Sequence, residues 1–303
     1  MSLYNYSVII PAFNECETIE QVIINLQHAF DKFISDYEII VVDDGSTDNT
    51  ASLVNNISGV KLIRHPYNKG NGASVKSGIL KANSEKIVVI DADGQHDPKY
   101  VLEMLLLLDD YDLVVGARET FGIGRRGFGN FLVSKLASYL SGILIPDLTC
   151  GLRAFRRDKM IEFISLLPNG FSLPSTSTLA FATNGYNLKF IPINVNSRQG
   201  GKSSISVFKD GMKFIVLIFR MISLFKPLKV FIPLSCIIFI AGMFWSLISY
   251  YMYREITSIG AISVLMGILI CLFGLLADQI AETRFAIGKI IKSQMKLNSQ
   301  DTN

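Results

Sequence analysis

Two aspartate clusters hold most of the chemistry available to this chain, Asp43-Asp44 and Asp91-Ala92-Asp93. Side chains alternate along an extended segment, so Asp91 and Asp93 can face one way. Two carboxylates completed by diphosphate oxygens and water form a hard-oxygen ligand set that suits Mg2+ or Mn2+. A cation held there would neutralise a departing nucleoside diphosphate. Acidic turns are common, and what distinguishes this one is its place after the apolar run Lys86 to Ile90. In Asp43-Asp44-Gly45-Ser46-Thr47-Asp48, Thr47 or Asp48 suits the cap of the next helix. At least one of Asp43 and Asp44 is then left to accept hydrogen bonds from a base or ribose. Asn68-Lys69-Gly70-Asn71-Gly72 is a donor-rich loop ahead of a helix, suited to phosphate or ribose.

These clusters need a frame, and the first hundred or so residues supply one by alternating strands with helices. Strands are expected at Tyr6 to Pro11, Tyr37 to Val42, Val60 to Ile63, Lys86 to Ile90 and Asp112 to Val115. Helices are expected through Ile19, Val22, Ile23, Leu26 and Phe30, then after Asp48, over Gly72 to Ala82, and over Pro98 to Leu108. Near-continuous Val/Ile runs between amphipathic helices predict a mostly parallel sheet covered on both faces. Ligands of such open sheets sit at the carboxyl ends of the strands, where Asn14-Glu15, Asp43-Asp44 and Asp91-Ala92-Asp93 all fall. Gly122-Ile123-Gly124-Arg125-Arg126-Gly127 matches a dinucleotide fingerprint. It follows the fifth strand rather than the first, however, and its arginines suit an anionic acceptor better than a tight dinucleotide turn.

Half of the 303 residues are apolar, and they concentrate toward the C-terminus. Val230 to Tyr253 carries no charge, and a second uncharged run extends from Ile256 to Ala277. Each exceeds the roughly 20 residues that cross a bilayer core as a helix. Lys226 and Lys229 precede the first run, and Arg284, Lys289, Lys292 and Lys296 follow the second. Basic flanks stay in the cytoplasm, so both ends and the N-terminal domain are expected there. Ser203 to Phe225 has Ser206, Lys209, Asp210, Lys213, Arg220 and Ser223 along one face of an apolar helix. That pattern suits a helix lying in the membrane interface, with packing on the globular domain as the alternative. Gly260, Gly267 and Gly274 at heptad spacing allow close helix approach, either between copies or inside the hairpin.

Other classes are disfavoured. Tyr6 to Phe13 is too short for a cleavable signal and has no basic leader. Cys16, Cys150, Cys236 and Cys271 are scattered without zinc spacing and are expected to be reduced and structural. A net charge of +3 with no basic stripe does not point to nucleic acid. The tail Lys296 to Asn303 is expected to fray.

Pro11-Ala12-Phe13-Asn14-Glu15, Val42 to Asp48 and Asp91-Ala92-Asp93-Gly94-Gln95-His96 resemble the PxxNE, VDDGSxD and DADxQH motifs of the family 2 glycosyltransferases with a GT-A fold. Asp147 to Arg157 is similar to the DxTxGxR segment of one branch, the polyprenyl-phosphate (dolichyl-phosphate) hexose synthases. Arg198 with Gly201 to Ser204 is similar to that branch's RxxGxSK loop, though Ser204 replaces the last Lys. The resemblance spans roughly Tyr6 to Ser204 and is joined by a two-span hairpin found in many bacterial members.

The resemblance implies a Rossmann-like, mostly parallel α/β catalytic domain over 1–202. An interfacial helix region would follow at 203–228, then a transmembrane hairpin over 229–282 with spans of about 230–253 and 256–278, and a basic tail at 283–303. It implies that Pro11, Phe13, Glu15, Asp43, Asp44, Lys69, Asp91 and Ala92 bind the nucleotide sugar. Asp91, Asp93 and Gln95 would hold Mg2+ or Mn2+, with Asp93, Asp147 and Arg126 as catalytic residues. Arg118, Arg125, Arg126, Ser134, Arg153 and Arg198 would receive the lipid phosphate. Asn130 stands where the pattern has a basic residue ahead of Ser134, which leaves Arg125 or Arg126 to replace it.

The expected reaction is metal-dependent, inverting transfer of a hexose from a nucleotide sugar to a polyprenyl phosphate, in cell-envelope glycan synthesis. The expected donor is a UDP-sugar such as UDP-glucose, with a GDP-mannose-dependent mannose synthase as the alternative. The expected setting is the inner membrane, with the catalytic domain on the cytoplasmic face and a homo-oligomer, up to a tetramer, as the assembly. A processive polysaccharide synthase is disfavoured because its Gln-x-x-Arg-Trp segment has no counterpart; Trp245, the chain's one tryptophan, lies in an expected span. An inactive membrane-anchored scaffold is the remaining rival.

Overall fold

The computed structural model describes residues 4–33, 36–118, 125–195, 207–255 and 257–300, with backbone alone at 125–128, 207–215, 291 and 295–300. The chain divides into two units, residues 1–214 with 288–303, and residues 215–287.

The first unit is built on a seven-stranded sheet. Its first half runs β1 (Tyr6–Ala12), α1 (Ile19–Phe33), β2 (Tyr37–Asp43), α2 (Thr50–Asn55), β3 (Val60–Arg64), α3 (Asn71–Lys81), β4 (Lys86–Val89) and α4 (Pro98–Leu107). Then come β5 (Leu113–Arg118), α5 (Arg125–Ser141), β6 (Arg153–Arg156), α6 (Arg157–Ile161), α7 (Leu173–Thr183) and β7 (Leu188–Ile193). The order across the sheet is β3-β2-β1-β4-β6-β5-β7. All pairings are parallel except those of β6, which runs against both β4 and β5. The expected fold class, an α/β unit on a mostly parallel sheet, is therefore what the chain adopts.

The core is the β-branched content of the central strands. Val8, Ile9, Ile10, Ile39 to Val42, Val88 and Leu113 to Val115 are buried, as strands covered on both faces must be. Helix α1 turns Ile19, Val22, Ile23, Leu26 and Phe30 inward at steps of three and four. Asp97 caps α4 by accepting from Lys99 N, with Pro98 in the first turn. Thr47 does not cap α2: Asp48 holds its first turn from outside, accepting from Thr50 N and Oγ1, while Asn49 occupies the cap position without a side-chain bond.

The second unit carries most of α8 (Val207–Phe225), α9 (Leu228–Tyr253) and most of α10 (Ser258–Gln300). Helix α9 closes on Arg254 in the left-handed conformation, whose N–H donates to Tyr250 O. Trp245 Nε1 and Ser249 Oγ both meet Thr257 Oγ1 across the turn, at 3.1 and 3.2 Å. Among the described residues, two helices here are long and apolar enough to cross a membrane. Gly260, Gly267 and Gly274 pack within the hairpin: an added Cβ would meet Ser246, Phe239 and Phe231 respectively. The close approach that the heptad glycines permit is thus used between α9 and α10. Helix α10 continues through Gln300, so most of the expected frayed tail is helical.

Candidate active site

The carboxyl ends of β1, β2 and β4 lie side by side, with Ala12 opposite Asp43 in the register. Asn14, next after β1 but one, takes a positive φ of 55°, a conformation that asparagine tolerates. Its N–H donates to Ser46 Oγ and its Oδ1 accepts from Thr47 N, each at 2.9 Å. Glu15 N donates to Thr50 Oγ1. The loop after β1 is thereby strapped to the loop after β2, which fixes where Phe13 and Glu15 stand.

Asp43 and Asp44 divide their work. Asp43 is fully buried, accepts from Ser46 N through Oδ1, and sets Oδ2 3.2 Å from Arg64 Nε without a hydrogen bond. Asp44 accepts from Lys69 N and Gly70 N, at 2.9 and 2.7 Å, and meets His65 Nδ1 at 2.7 Å. His65 Nε2 in turn lies 2.9 Å from Ser77 Oγ. Asp44 therefore anchors the donor-rich loop to the sheet. His65 escaped the sequence reading; its only signal was a polar ring immediately after a strand.

Asp91 and Asp93 follow β4 in a turn tied down by Thr18 Oγ1, which donates to Ala92 O at 2.7 Å. Asp93 Oδ1 accepts from Gln95 N. Burial raises the Asp91 pKa, although 34% of its side chain still meets the cleft, and His96, 3.9 Å away, pulls the other way. His96 is itself held low by burial, and its Nδ1 has no hydrogen-bond partner among the described residues. Gly151 lies against the Asp91 carboxylate so closely that a Cβ there would overlap Oδ2.

A cavity of about 320 Å3 gathers these pieces, walled by Pro11, Phe13, Glu15, Asp44, Asp91, Ala92 and Asp93. Ala12, Asn68, Asn71 and Ser74 complete it. Asp43 and Lys69, expected with the others, do not line it. Asn68 and Asn71 come from the donor-rich loop; Ser74 gave no sequence signal. Among the described residues no cluster of three or more His, Cys, Asp or Glu could enclose a metal. Two adjacent carboxylates, one with a raised pKa, nevertheless fit a divalent cation whose remaining ligands come from a diphosphate.

A second network lies at the ends of β5 and β6. Arg118 Nε and Nη2 donate to the two oxygens of Asp147 at 2.6 and 3.0 Å, and Nη2 also reaches Thr149 Oγ1. Asn130 Nδ2 donates to Asp147 Oδ1, and its own Oδ1 accepts from Thr149 Oγ1. Burial would raise the Asp147 pKa, but the Arg118 pair outweighs it and the carboxyl is held low. Ser134 Oγ accepts from Leu148 N and is buried.

Arg153 is wholly buried, and burial lowers its pKa to about 10. Its Nε donates to Gly151 O, its Nη1 to Pro174 O and Ser177 Oγ, and its Nη2 to Cys150 O. Of the expected acceptor residues that the structure describes, Arg118 is the most open, at 37% of its side chain. Helix α5 begins at Arg125, but the side chains of Arg125 and Arg126 lie outside the described residues, as do Arg198 and the 122–124 part of the dinucleotide-like segment. Cys150 is buried, with a thiol pushed up to about 12 by that burial, and all four cysteines are free.

A model of "Glycosyl transferase family 2" matches residues 7–163, just over half of the chain, and one of a "GtrB C-terminal hairpin" matches 226–283. The chain is 30% identical over 216 residues to a polyprenol monophosphomannose synthase of Mycolicibacterium smegmatis, covering 66% of this chain and 80% of that one. It is 27% identical over 259 residues to an undecaprenyl-phosphate 4-deoxy-4-formamido-L-arabinose transferase of Enterobacter sp., covering 80% and 74%. The fold is similar to that of glucosyl-3-phosphoglycerate synthase from Mycobacterium tuberculosis, solved with Mn2+, UDP and glucosyl-3-phosphoglycerate. The TM-score there is 0.59 at 21% identity, over 73% of this chain and 79% of that one.

Proposed function

From the premise that this chain belongs to glycosyl transferase family 2, we propose that it moves a hexose from a nucleotide sugar onto the phosphate of a membrane polyprenyl phosphate. It is a glycosyltransferase whose homologues act on polyprenyl phosphates. The observation that carries the finer reading is one cleft in which Asp91 and Asp93 stand with Glu15 and Asp44 at the sheet's carboxyl edge. UDP-glucose is the favoured donor, supported by the UDP-bound fold neighbour; GDP-mannose is the alternative, supported by the monophosphomannose synthase.

Glu15 and Asp44 take the base or ribose, with Pro11, Phe13 and Ala92 as walls. Asp91, Asp93 and Gln95 would hold Mg2+ or Mn2+, which when bound takes up charge from the departing diphosphate. A phosphate monoester is largely ionised near neutral pH, its second pKa being about 6, so the acceptor needs no general base. Its oxygen forms a bond to the anomeric carbon as the bond to the diphosphate oxygen breaks on the opposite face, which inverts the centre. Arg118 presents a guanidinium fixed by Asp147, and Arg125, Arg126 and Arg198 add positive charge from their segments. Ser134 and Arg153 support the acceptor side through the loop that contains Asp147.

The hairpin associates the enzyme with a membrane. We assign it to the inner membrane with residues 1–202 at the cytoplasmic face, followed by the 203–228 helix region, the 229–282 hairpin and the 283–303 tail. A homo-oligomer, up to a tetramer, is retained for testing by the mass of the solubilised particle.

Membranes containing the chain are incubated with labelled UDP- and GDP-hexoses, and label is sought in the lipid extract. Mn2+-dependent label that falls at least about 10²-fold in Asp93→Ala, with the variant still in the membrane fraction, is the expected result. Label that never enters lipid, or that survives in Asp93→Ala, rejects the reading.

A further inference from the structure

A smaller cavity of about 220 Å3 adjoins the nucleotide cleft and shares two residues with it, Asn71 and Asp91. We propose that this compartment receives the sugar of the donor and selects an uncharged one, with Phe171 as a specificity-determining residue. The inference rests on the transferase reading and goes further, naming a class of sugar and where it binds.

Position comes first. The anomeric carbon must lie one bond from the diphosphate, so the sugar has to occupy space bordering the carboxylates that serve that group. Asp91 forms part of both walls, and the second compartment meets that condition.

Charge comes next. Among the described residues the one cation in the lining is Arg153, and each of its guanidinium nitrogens already donates to the protein, to the carbonyls of Cys150, Gly151 and Pro174 and to Ser177 Oγ. A sugar carboxylate entering here would lose water and find, among the described lining residues, no guanidinium free to pair with it. Val75, Val89, Leu173 and Pro174 give one part of the wall a hydrocarbon surface, and Asn71 and Thr149 give another part neutral polar groups. An uncharged ring with an apolar face suits such a wall, and Asn71 offers its hydroxyls an amide.

Phe171 reaches this compartment while 55% exposed, and it is not on a loose loop. Two residues earlier, Asn169 O accepts from Ala73 N at 2.9 Å. Lys76 Nζ donates to Leu167 O at 3.1 Å and also to Asn169 Oδ1. Gly72 admits the loop to contact with α3, because a Cβ there would overlap Pro168 O. The backbone that leads into Phe171 is therefore set in place before a ligand arrives, which lets the ring serve as a platform for one face of a sugar.

The test is binding to the full chain in detergent with Mn2+, comparing free UDP and GDP with UDP-glucose, GDP-mannose, UDP-glucuronate and GDP-mannuronate. The expected result is that the neutral donor of the preferred nucleotide binds about tenfold or more tightly than its uronate. Phe171→Ala should weaken that donor by about tenfold while leaving the free nucleotide within about twofold, and Phe171→Arg should narrow the gap between neutral and anionic donors. Equal affinity for neutral and anionic donors overturns the inference. So does a Phe171→Ala variant that loses free nucleotide as much as nucleotide sugar. Failure to bind either free nucleotide rejects the transferase reading and this inference together, whereas nucleotide binding without discrimination rejects the inference alone.

Discussion

In the sheet unit the fully buried positions include Ile9, Ile10, Ile39, Ile40, Phe155 and Phe181, while in the hairpin helix α9 the buried residues are Ser235, Gly242 and Ser249. The large hairpin side chains face outward: Phe244 is 64% exposed, Leu247 67% and Phe273 62%. The inward positions of α10 repeat every seven residues, at Gly260, Gly267, Gly274 and Ala281. Water explains one pattern and hydrocarbon the other. Where the surroundings are aqueous, burying a large apolar side chain is the driving force. Where the surroundings are as apolar as leucine, that force vanishes, and helices gain most from close backbone approach through small residues. The same composition rule therefore yields opposite arrangements in one chain.

Substitutions can break or sharpen this contrast. Ile9→Ala, in a central strand, should cost about 2–5 kcal/mol, measured as loss of the main unfolding transition in detergent. Leu247→Ala, which removes a side chain of similar size from the hairpin exterior, should stay within about 0.5 kcal/mol. Equal effects would erase the distinction. Gly267→Leu should cost about 1–3 kcal/mol by overpacking, since even a Cβ would lie 2.8 Å from Phe239 Cβ. The readout is proteolytic opening of the Arg254 turn, and an unchanged cleavage rate would count against tight helix packing.

The smallest expected effect concerns charge, and it belongs to the sheet unit alone. Arg118 holds the folded-state pKa of Asp147 below its ordinary value despite burial. The pair's contribution is therefore present above the unfolded pKa of about 4 and is lost as pH falls through the lower folded value. Asp147→Asn should flatten the acid side of the stability profile measured from pH 6 down to pH 3. A profile identical to that of the parent chain would show that the pair contributes nothing.

Sequence legibility followed the same physics. Strands β1, β2, β4 and β5 were visible because Val and Ile runs covered on both faces leave few alternatives, and the edge strand β3, only half-buried, was visible from its short apolar stretch. Strand β6 was not visible, since Arg153-Ala154-Phe155-Arg156 begins and ends in cations, and its burial depends on hydroxyls and carbonyls contributed by α7 and the 150–151 turn. The positions of Asp43, Asp44, Asp91 and Asp93 could be inferred because they sit next to strand ends. What Asp44 holds, through His65 and the 69–70 backbone, depends on a loop fold that no local pattern encodes. Asn130 illustrates the same limit. It departs from the basic residue of the pattern, and its bonds to Asp147 and Thr149 become apparent only when α5 is laid beside the 147–149 turn.

The reversed course of β6 has a wider effect. In an all-parallel sheet only the links leaving each strand reach the working rim. With one strand turned around, the link entering it arrives there too, bringing Gly151 against Asp91 and Thr149 into the same cavity wall. The stretch from Arg118 to Arg153 thus leaves the rim and returns to it as a single cassette. On the transferase reading proposed above, lengthening or exchanging that cassette would refit the acceptor side without moving β1, β2 or β4, whose ends line the larger cleft.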